Sequence, residues 1–313
     1  MGTPSVSVVI PVYNVGPMAS EAVRSVLGQT FPAGEIIVVD DGSSDDTAAQ
    51  LAPFMGRIRY VRQENRGVAS ARNRGLDLAT GDLVAFLDGD DVWHPLKLER
   101  HLAAWASNPG LGCFGTASYP YEEGPPNLEG VLAAPVELIP WSDLVMRNRL
   151  ITSTILADRA VLREAGPFDE GLQGPEDHDL WIRMAEIAPA AKLAIPLTGY
   201  RTVPGSLSRR ALGMESGMLR ILEKLGERGA WEGPGRTRLK FQSYSYMYYS
   251  SSYIFSSSGD PASAIRRLLA SVAWYPLPFA RGVTSRPWAR PRMMIRYLQR
   301  WASGLATQPG EGA

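Results

Sequence analysis

"DLVAFLDGDDVWHPLKLERHLAAWA" (residues 82–106) reads as three things in turn: an apolar strand from Leu83 to Leu87, an acidic turn with Asp88, Asp90 and Asp91, and a helix with Pro95 near its first turn. Three like charges at the end of a buried strand are opposed by repulsion and by desolvation. Either the acids face open water, or something positive sits among them. Working outward, the same order of strand, polar turn and helix recurs. "VSVVIPVYN" (6–14) leads to a helical pattern with Ala22, Val23, Val26 and Leu27, for which Ser20 is the expected cap. "EIIVVDDGSSDDT" (35–47) leads to Ala48, Leu51 and Ala52, and "RIRYVRQ" (57–63) to Val68, Ala71, Leu76 and Ala79.

This alternation predicts an α/β fold built on a mainly parallel sheet with helices on both faces. Ligands of such sheets bind beyond the carboxyl ends of the strands. There the chain places Tyr13 and Asn14, Asp40 and Asp41, and Asp88 to Asp91. After residue 110 the pattern loosens: "YPYEEGPPNLEG" (119–130) is loop-like, structure resumes over 143–166, and 176–188 reads as a helix. Helices are expected at 211–229, about 237–257 and 261–273, the last two forming a hairpin. The length of 313 residues suits two domains, 1–210 and a helical region 211–313.

Basic and acidic residues balance at 32 each, so the total charge does not point to nucleic acid as a partner. One cysteine, Cys113, forms no internal disulfide, and with three histidines a Cys/His zinc cage is disfavoured. The start of the chain lacks signal-peptide shape and no apolar run is long enough to span a bilayer, which leads to an expected cytoplasmic location. The tail stands apart: residues 261–310 carry eight Arg and no Asp, Glu or Lys. Its Arg, Trp and Leu mixture over 268–301 has two readings. One is peripheral association of 261–301 with an anionic membrane, at the inner face of the cell membrane. The other is a helical tail packed on its own catalytic domain or on a second subunit.

Several residues are candidates for chemistry. Asp88 and Asp90 form a DxD pair, which offers hard oxygen ligands to a divalent cation bridging to a diphosphate; a solvated acidic turn is the plainer reading of such a pair alone. Asp41 is a candidate to accept hydrogen bonds from a uracil-type imide or a ribose hydroxyl, with Asp40 supporting the turn and Gly42 admitting a backbone angle that a side chain would prevent. Asp45 and Asp46 suit a helix N-terminus. Arg66 is the basic residue expected at the diphosphate, whereas Arg72 and Arg74 read as partners of surface acids. Glu176, Asp177 and Asp179 open a helix; Asp177 is the candidate general base, and His178 a spacer.

Six stretches together resemble family 2 of the inverting nucleotide-sugar glycosyltransferases, which have the GT-A (Rossmann-like) fold. They are "VSVVIPVYN", "QTFPAGEIIVVDDGSSDDT", "ENRGVASARNRGLDLATGD", "FLDGDDVWHPLKLE", "AGPFDEGLQGPEDHDLWIRM" and "YRTVPGSLS", covering about residues 5 to 210. The resemblance implies that Pro11 and Tyr13 line the nucleotide base pocket and that Asp41 binds the base. It implies that Asp88 contacts the ribose and metal side of the donor, and that Asp90 ligates Mn²⁺ or Mg²⁺. Asp177, in the Glu176–Asp177 pair, would be the base, and Arg201, Ser206 and Ser208 would close over the diphosphate. The family often has an aromatic at His178 and a His near Val203, so a histidine metal ligand is not expected. The QxxRW signature of processive synthases is absent, which favours transfer of one sugar. The implied donor is a nucleoside-diphosphate sugar of UDP type. The implied acceptor is a saccharide or lipid-linked hydroxyl in surface polysaccharide or glycolipid biosynthesis. Competing readings are an inactive nucleotide-sugar-binding scaffold and a nucleotidyltransferase, although "PVYNVGPM" is not the Gly-rich basic loop the latter needs. GxGxxG and P-loop motifs are both missing.

Overall fold

The computed structural model describes residues 3–128, 134–172, 174–202, 211–279 and 288–302. Its sheet is built on β1 (Val6–Val12), flanked in parallel by β2 (Glu35–Asp40) and β4 (Leu83–Phe86), with β3 (Arg59–Arg62) parallel beyond β2. Every residue of β1 is buried, as expected of a strand covered on both faces. The helices between these strands are α1 (Pro17–Leu27), α2 (Thr47–Leu51) and α3 (Val68–Leu78). This is the parallel half that the strand–helix alternation forecasts.

The second half mixes directions. Its strands are β5 (Val92–Trp93), β6 (Cys113–Pro120), β7 (Val136–Ile139), β8 (Leu156–Asp158) and β9 (Ala190–Tyr200). β8 pairs antiparallel with both β4 and β6, whereas β6 and β9 are parallel, with register shifts between Thr116 and Ser118. β5 and β7 add antiparallel pairings to β9, and the order is β3-β2-β1-β4-β8-β6-β9-β5, with β7 also on β9. Around this half lie α4 (Lys97–Ala106), α5 (Trp141–Met146), α6 (Arg159–Ala165) and α7 (Glu176–Ile187).

Two local details set where site residues stand. Helix α1 starts one turn earlier than Ser20 suggests: Pro17 opens it after Gly16, because proline at a first helical position loses no needed N–H and has φ already set. Ser20 instead lies inside the helix and donates to Pro17 O at 2.9 Å. On α3, Gly75 faces β1 so closely that a Cβ there would stand 2.2 Å from Val9 Cγ1. The helix can rest on the strand only because position 75 has no side chain.

The chain divides into two units, one of residues 1–144, 148–171 and 176–203, the other of 204–313 with the short segments 145–147 and 172–175. The second contains α8 (Ala211–Glu227), α9 (Arg236–Ser257), α10 (Pro261–Trp274) and α11 (Ala289–Ala302). It has its own apolar cluster of Phe255, Ala264, Leu268 and Tyr297. Helices α9 and α10 meet at small residues, where Ser245 Oγ donates to Ser271 O at 2.7 Å. Buried Arg290 ends α10 by donating to the carbonyls of Tyr275, at 2.6 Å, and Leu277.

Candidate active site

The acidic turn after β4 is positioned by what lies beneath it. Gly89 sits where a Cβ would be 2.8 Å from Val12 Cγ1 and 3.0 Å from Pro11 O, so the turn lies directly on the end of β1. Asp88 N donates to Ser153 Oγ at 3.1 Å. Asp91 is buried; its Oδ1 accepts from Arg201 N at 3.0 Å, and its Oδ2 has no partner among the described residues. Burial, and then the Asp88 charge, pushes the Asp90 carboxyl up to about 6. Burial and both neighbouring acids raise Asp91 as well.

The positive charge among the acids is Arg72. Its Nη2 donates to Asp88 Oδ1 at 2.7 Å and its Nη1 to Glu176 Oε1 at 2.6 Å, while the Phe168 ring covers it with the centroid 5.5 Å from Cζ. Arg72 is only 4% exposed, which corrects its reading as a partner of surface acids. Arg72 belongs to a continuous buried run of α3, Ala69 to Arg72, with Gly75 one turn on. Burial alone would favour loss of its proton, but Asp88 and Glu176 outweigh that and raise its pKa. The fork shape of guanidinium lets one residue serve two carboxylates.

Asp177 follows Glu176 at the start of α7. Its Oδ2 accepts from Thr152 Oγ1 at 2.9 Å, its Oδ1 from the backbone N of His178 at 2.6 Å, and Asn148 Nδ2 lies 3.2 Å from both oxygens. Burial raises its pKa against the pull of Arg72 and these donors. Burial also raises Glu176, with Arg72 opposing. A carboxylate held by neutral donors with an elevated pKa has the character of a general base. His178 is buried, with Nε2 2.5 Å from Leu144 O, and burial lowers its pKa to about 4, so the ring stays neutral near pH 7.

A second group forms at the end of β2. Asp41 accepts from Arg66 N at 3.0 Å, Gly67 N at 2.8 Å and Gln63 Nε2 at 2.8 Å, so its carboxylate orders the 63–67 loop. Asp40 accepts from Ser43 N at 2.7 Å and from the Tyr60 hydroxyl at 2.5 Å. Gly42 has φ +79°, and a Cβ there would meet Asn65 N at 2.9 Å. The Arg66 side chain is exposed and pairs with Glu170 at 2.9 Å. Pro11 is buried in β1 and Tyr13 is exposed.

Arg201, at the end of β9, pairs with Glu21, and its Cζ stands 3.8 Å from the Tyr121 ring centroid. Ser206 and Ser208 lie outside the described residues. Thus Asp88, Asp90, Glu176 and Asp177 belong to one cluster organised by Arg72, and Asp41 with Arg66 to another. Thr152, Ser153 and Asn148 escape a reading of the sequence, although a polar "TST" between Ile151 and Ile155 is the signal that marks the first two.

The carboxylates suit a hard divalent cation. Asp91 Oδ2 is buried without a partner, and the charges of Asp88, Asp90 and Asp91 are only partly offset by Arg72. Among the described residues no three Asp, Glu, His or Cys groups form a cage by themselves. A hard cation held by so few carboxylates would need further oxygen ligands from elsewhere.

Comparison with known proteins identifies the family. Residues 7–170, more than half of the chain, match the family model described as "Glycosyl transferase family 2". An uncharacterized glycosyltransferase of Rickettsia felis is 30% identical over 197 residues, covering 59% of this chain and 32% of its own. The Escherichia coli UDP-Glc:alpha-D-GlcNAc-diphosphoundecaprenol beta-1,3-glucosyltransferase WfgD is 34% identical over 180 residues, covering 56% of this chain and 68% of its own. The chain spans about a third of the length of several curated relatives it matches. In three dimensions it resembles S. aureus TarS 1-349, solved with UDP-GlcNAc, with TM-score 0.66 and 17% identity over 96% of this chain and 91% of that one; this likeness concerns the fold.

Proposed function

The chain belongs to glycosyltransferase family 2, and we infer that it moves one sugar from a nucleoside-diphosphate sugar of UDP type to a hydroxyl acceptor, inverting the anomeric carbon. The observation that carries this reading is the Arg72 bridge. It ties the donor-side acid Asp88 to Glu176, the immediate neighbour of the base Asp177. The two halves of a displacement are thereby held by one buried cation.

Asp177 accepts the proton of the acceptor hydroxyl, whose oxygen attacks C1 from the face opposite the departing diphosphate. One displacement inverts the centre and leaves no covalent sugar on the enzyme. Thr152 and Asn148 aim the Asp177 carboxylate, and its raised pKa brings its basicity closer to neutral pH. Asp88 and Asp90 would hold Mn²⁺ or Mg²⁺ together with the donor diphosphate, and a cation there offsets charge developing on the leaving group. Pro11, Tyr13 and Asp41 serve the nucleotide base in this reading, Arg66 the diphosphate side, and Arg201, Ser206 and Ser208 its closing loop.

The acceptor is a saccharide or lipid-linked hydroxyl of a surface polysaccharide or glycolipid, a class supported by the diphosphoundecaprenol in WfgD's name. No helix of the described residues is long and apolar enough to cross a membrane. Contact with an anionic membrane instead falls to α11, whose outer face exposes Ile295 (58%), Leu298 (45%) and Trp301 (61%), with Trp288 (64%) just ahead. Arg292 and Arg296 are exposed beside them.

Thermal-shift titration with UDP, dTDP, GDP and CMP, with and without Mn²⁺, on wild type and Asp90→Ala tests the reading. Stabilisation by UDP that requires Mn²⁺ and is lost in the variant is expected. No metal-dependent response to any nucleotide would overturn it, and UDP binding without turnover of any UDP-sugar would point to a scaffold.

A further inference from the structure

Behind the acids lies a lysine that the reaction does not use. Lys97 is fully buried, and among the described residues no carboxylate pairs with it. Its Nζ donates to Thr154 O at 3.0 Å, sits 3.2 Å from His101 Nδ1 and lies 4.7 Å from the centroid of the Trp93 ring. Burying an amine among neutral groups is unfavourable, and Lys97 and His101 both have pKa values lowered by burial. The polar head is instead engaged with a neighbouring segment.

What it holds is the short turn Thr152–Thr154, every residue of which is buried. Lys97 takes the carbonyl of Thr154, and Trp93 Nε1 donates to the carbonyl of Ser153 at 2.8 Å. From the same turn Ser153 Oγ receives Asp88 N, and Thr152 Oγ1 reaches Asp177. The Asp88 backbone and the Asp177 carboxylate are therefore both referenced to three consecutive residues, and those residues are pinned by two side chains of the "WHPLK" stretch (93–97).

We propose that Lys97, with Trp93, is a positioning residue that sets the Thr152–Thr154 turn and through it the placement of Asp177 relative to the Asp88 loop. This rests on the assignment of Asp177 as base, but the first test does not. In hydrogen–deuterium exchange, Lys97→Met and Trp93→Phe should each speed exchange in the peptides covering 150–156 and 176–180, leaving α1 protected as in wild type. Unchanged protection of both peptides in both variants overturns the proposal. Trp93→Phe decides if Lys97→Met does not fold, since it removes the N–H that holds Ser153 O while keeping a smaller aromatic ring in place.

The second test is kinetic, with release of UDP from whichever of UDP-Glc, UDP-GlcNAc or UDP-Gal turns over. Both variants should lower kcat by about 10- to 100-fold while the Kd for Mn²⁺–UDP changes less than about threefold. The acidic limb of the kcat–pH profile should move up by about half a unit, because an Asp177 that loses the Thr152 donor holds its proton more tightly. Thr152→Val should reproduce that shift. A lower Tm with kcat and acidic limb unmoved would make Lys97 merely structural. Full turnover in Asp177→Asn would instead sink the base assignment, with the exchange result standing apart from it.

Discussion

Arg72 donates to Glu176 at 2.6 Å with both side chains buried, so neither charge has water to fall back on. Removing one member of such a pair leaves the other uncompensated. Arg72→Met is expected to lose about 3–5 kcal/mol of unfolding free energy in urea titration. Arg72→Lys should recover only part of it, since an ammonium lacks the fork that serves Asp88 and Glu176 together. Arg66→Ala, which removes an exposed pair with Glu170, should stay within about 0.5 kcal/mol of wild type.

Asp90 gives the protein a pH dependence. Its folded pKa is raised to about 6 by burial and by Asp88, so the protonated form is the one the fold favours. The stability this group contributes is complete below its unfolded pKa near 4 and is lost as pH rises to about 6. Asp90→Asn removes that loss. In urea titration with EDTA its unfolding free energy should match wild type near pH 4 and exceed it at pH 7.5, by on the order of 3 kcal/mol or less. A variant no more stable at pH 7.5 than at pH 4, relative to wild type, would contradict the crowding of charge described for this turn.

Asp177→Asn keeps the shape of the side chain and an oxygen for the Thr152 hydroxyl, but accepts no proton. Sugar transfer should fall by about 10²- to 10⁴-fold, and calorimetric binding of Mn²⁺–UDP should change only a few-fold. Loss of nucleotide affinity on the same scale as loss of rate would assign this carboxylate to the donor instead.

Co-sedimentation with vesicles checks the exposed face of α11. Binding should be stronger to vesicles containing phosphatidylglycerol than to pure phosphatidylcholine, and should weaken with salt. Arg292→Glu with Arg296→Glu should cost at least about 2 kcal/mol of vesicle affinity, and Trp288→Ala with Trp301→Ala should reduce it further. Equal partitioning of wild type and the charge-reversed protein would remove the membrane from the proposal.

The parallel half of the sheet is plain in the sequence because β1, β2 and β4 are short apolar runs bounded by polar turns. Strands β6 and β9 are not. "CFGTASYP" carries small and polar residues, "AAKLAIPLTGY" contains a proline, and the two meet through register shifts, so neither shows a clean two-residue period. The site divides in the same way. Acids at element boundaries stand out by charge alone, whereas the bridge from Arg72 spans 16 residues to Asp88 and 104 to Glu176. Periodicity can turn Arg72 inward, but it does not say which carboxylates arrive there. Likewise Ser20 looks like a cap until Pro17 takes the start of the helix. The tail helices, with their longer uninterrupted patterns, are legible almost to the residue at α9 and α10.

Gly75 lies one turn beyond Arg72 on the same helix, and its missing side chain lets α3 rest against Val9. It therefore acts as a shim of zero thickness under the arm that carries the guanidinium. Thickening the shim by one methyl, as Gly75→Ala would, lifts the arm without touching a polar atom, and the fork that spans two carboxylates has little slack to follow. The tolerance of the charged cluster is thus set at an apolar contact, and position 75 is a place where this protein's chemistry can be detuned by size alone.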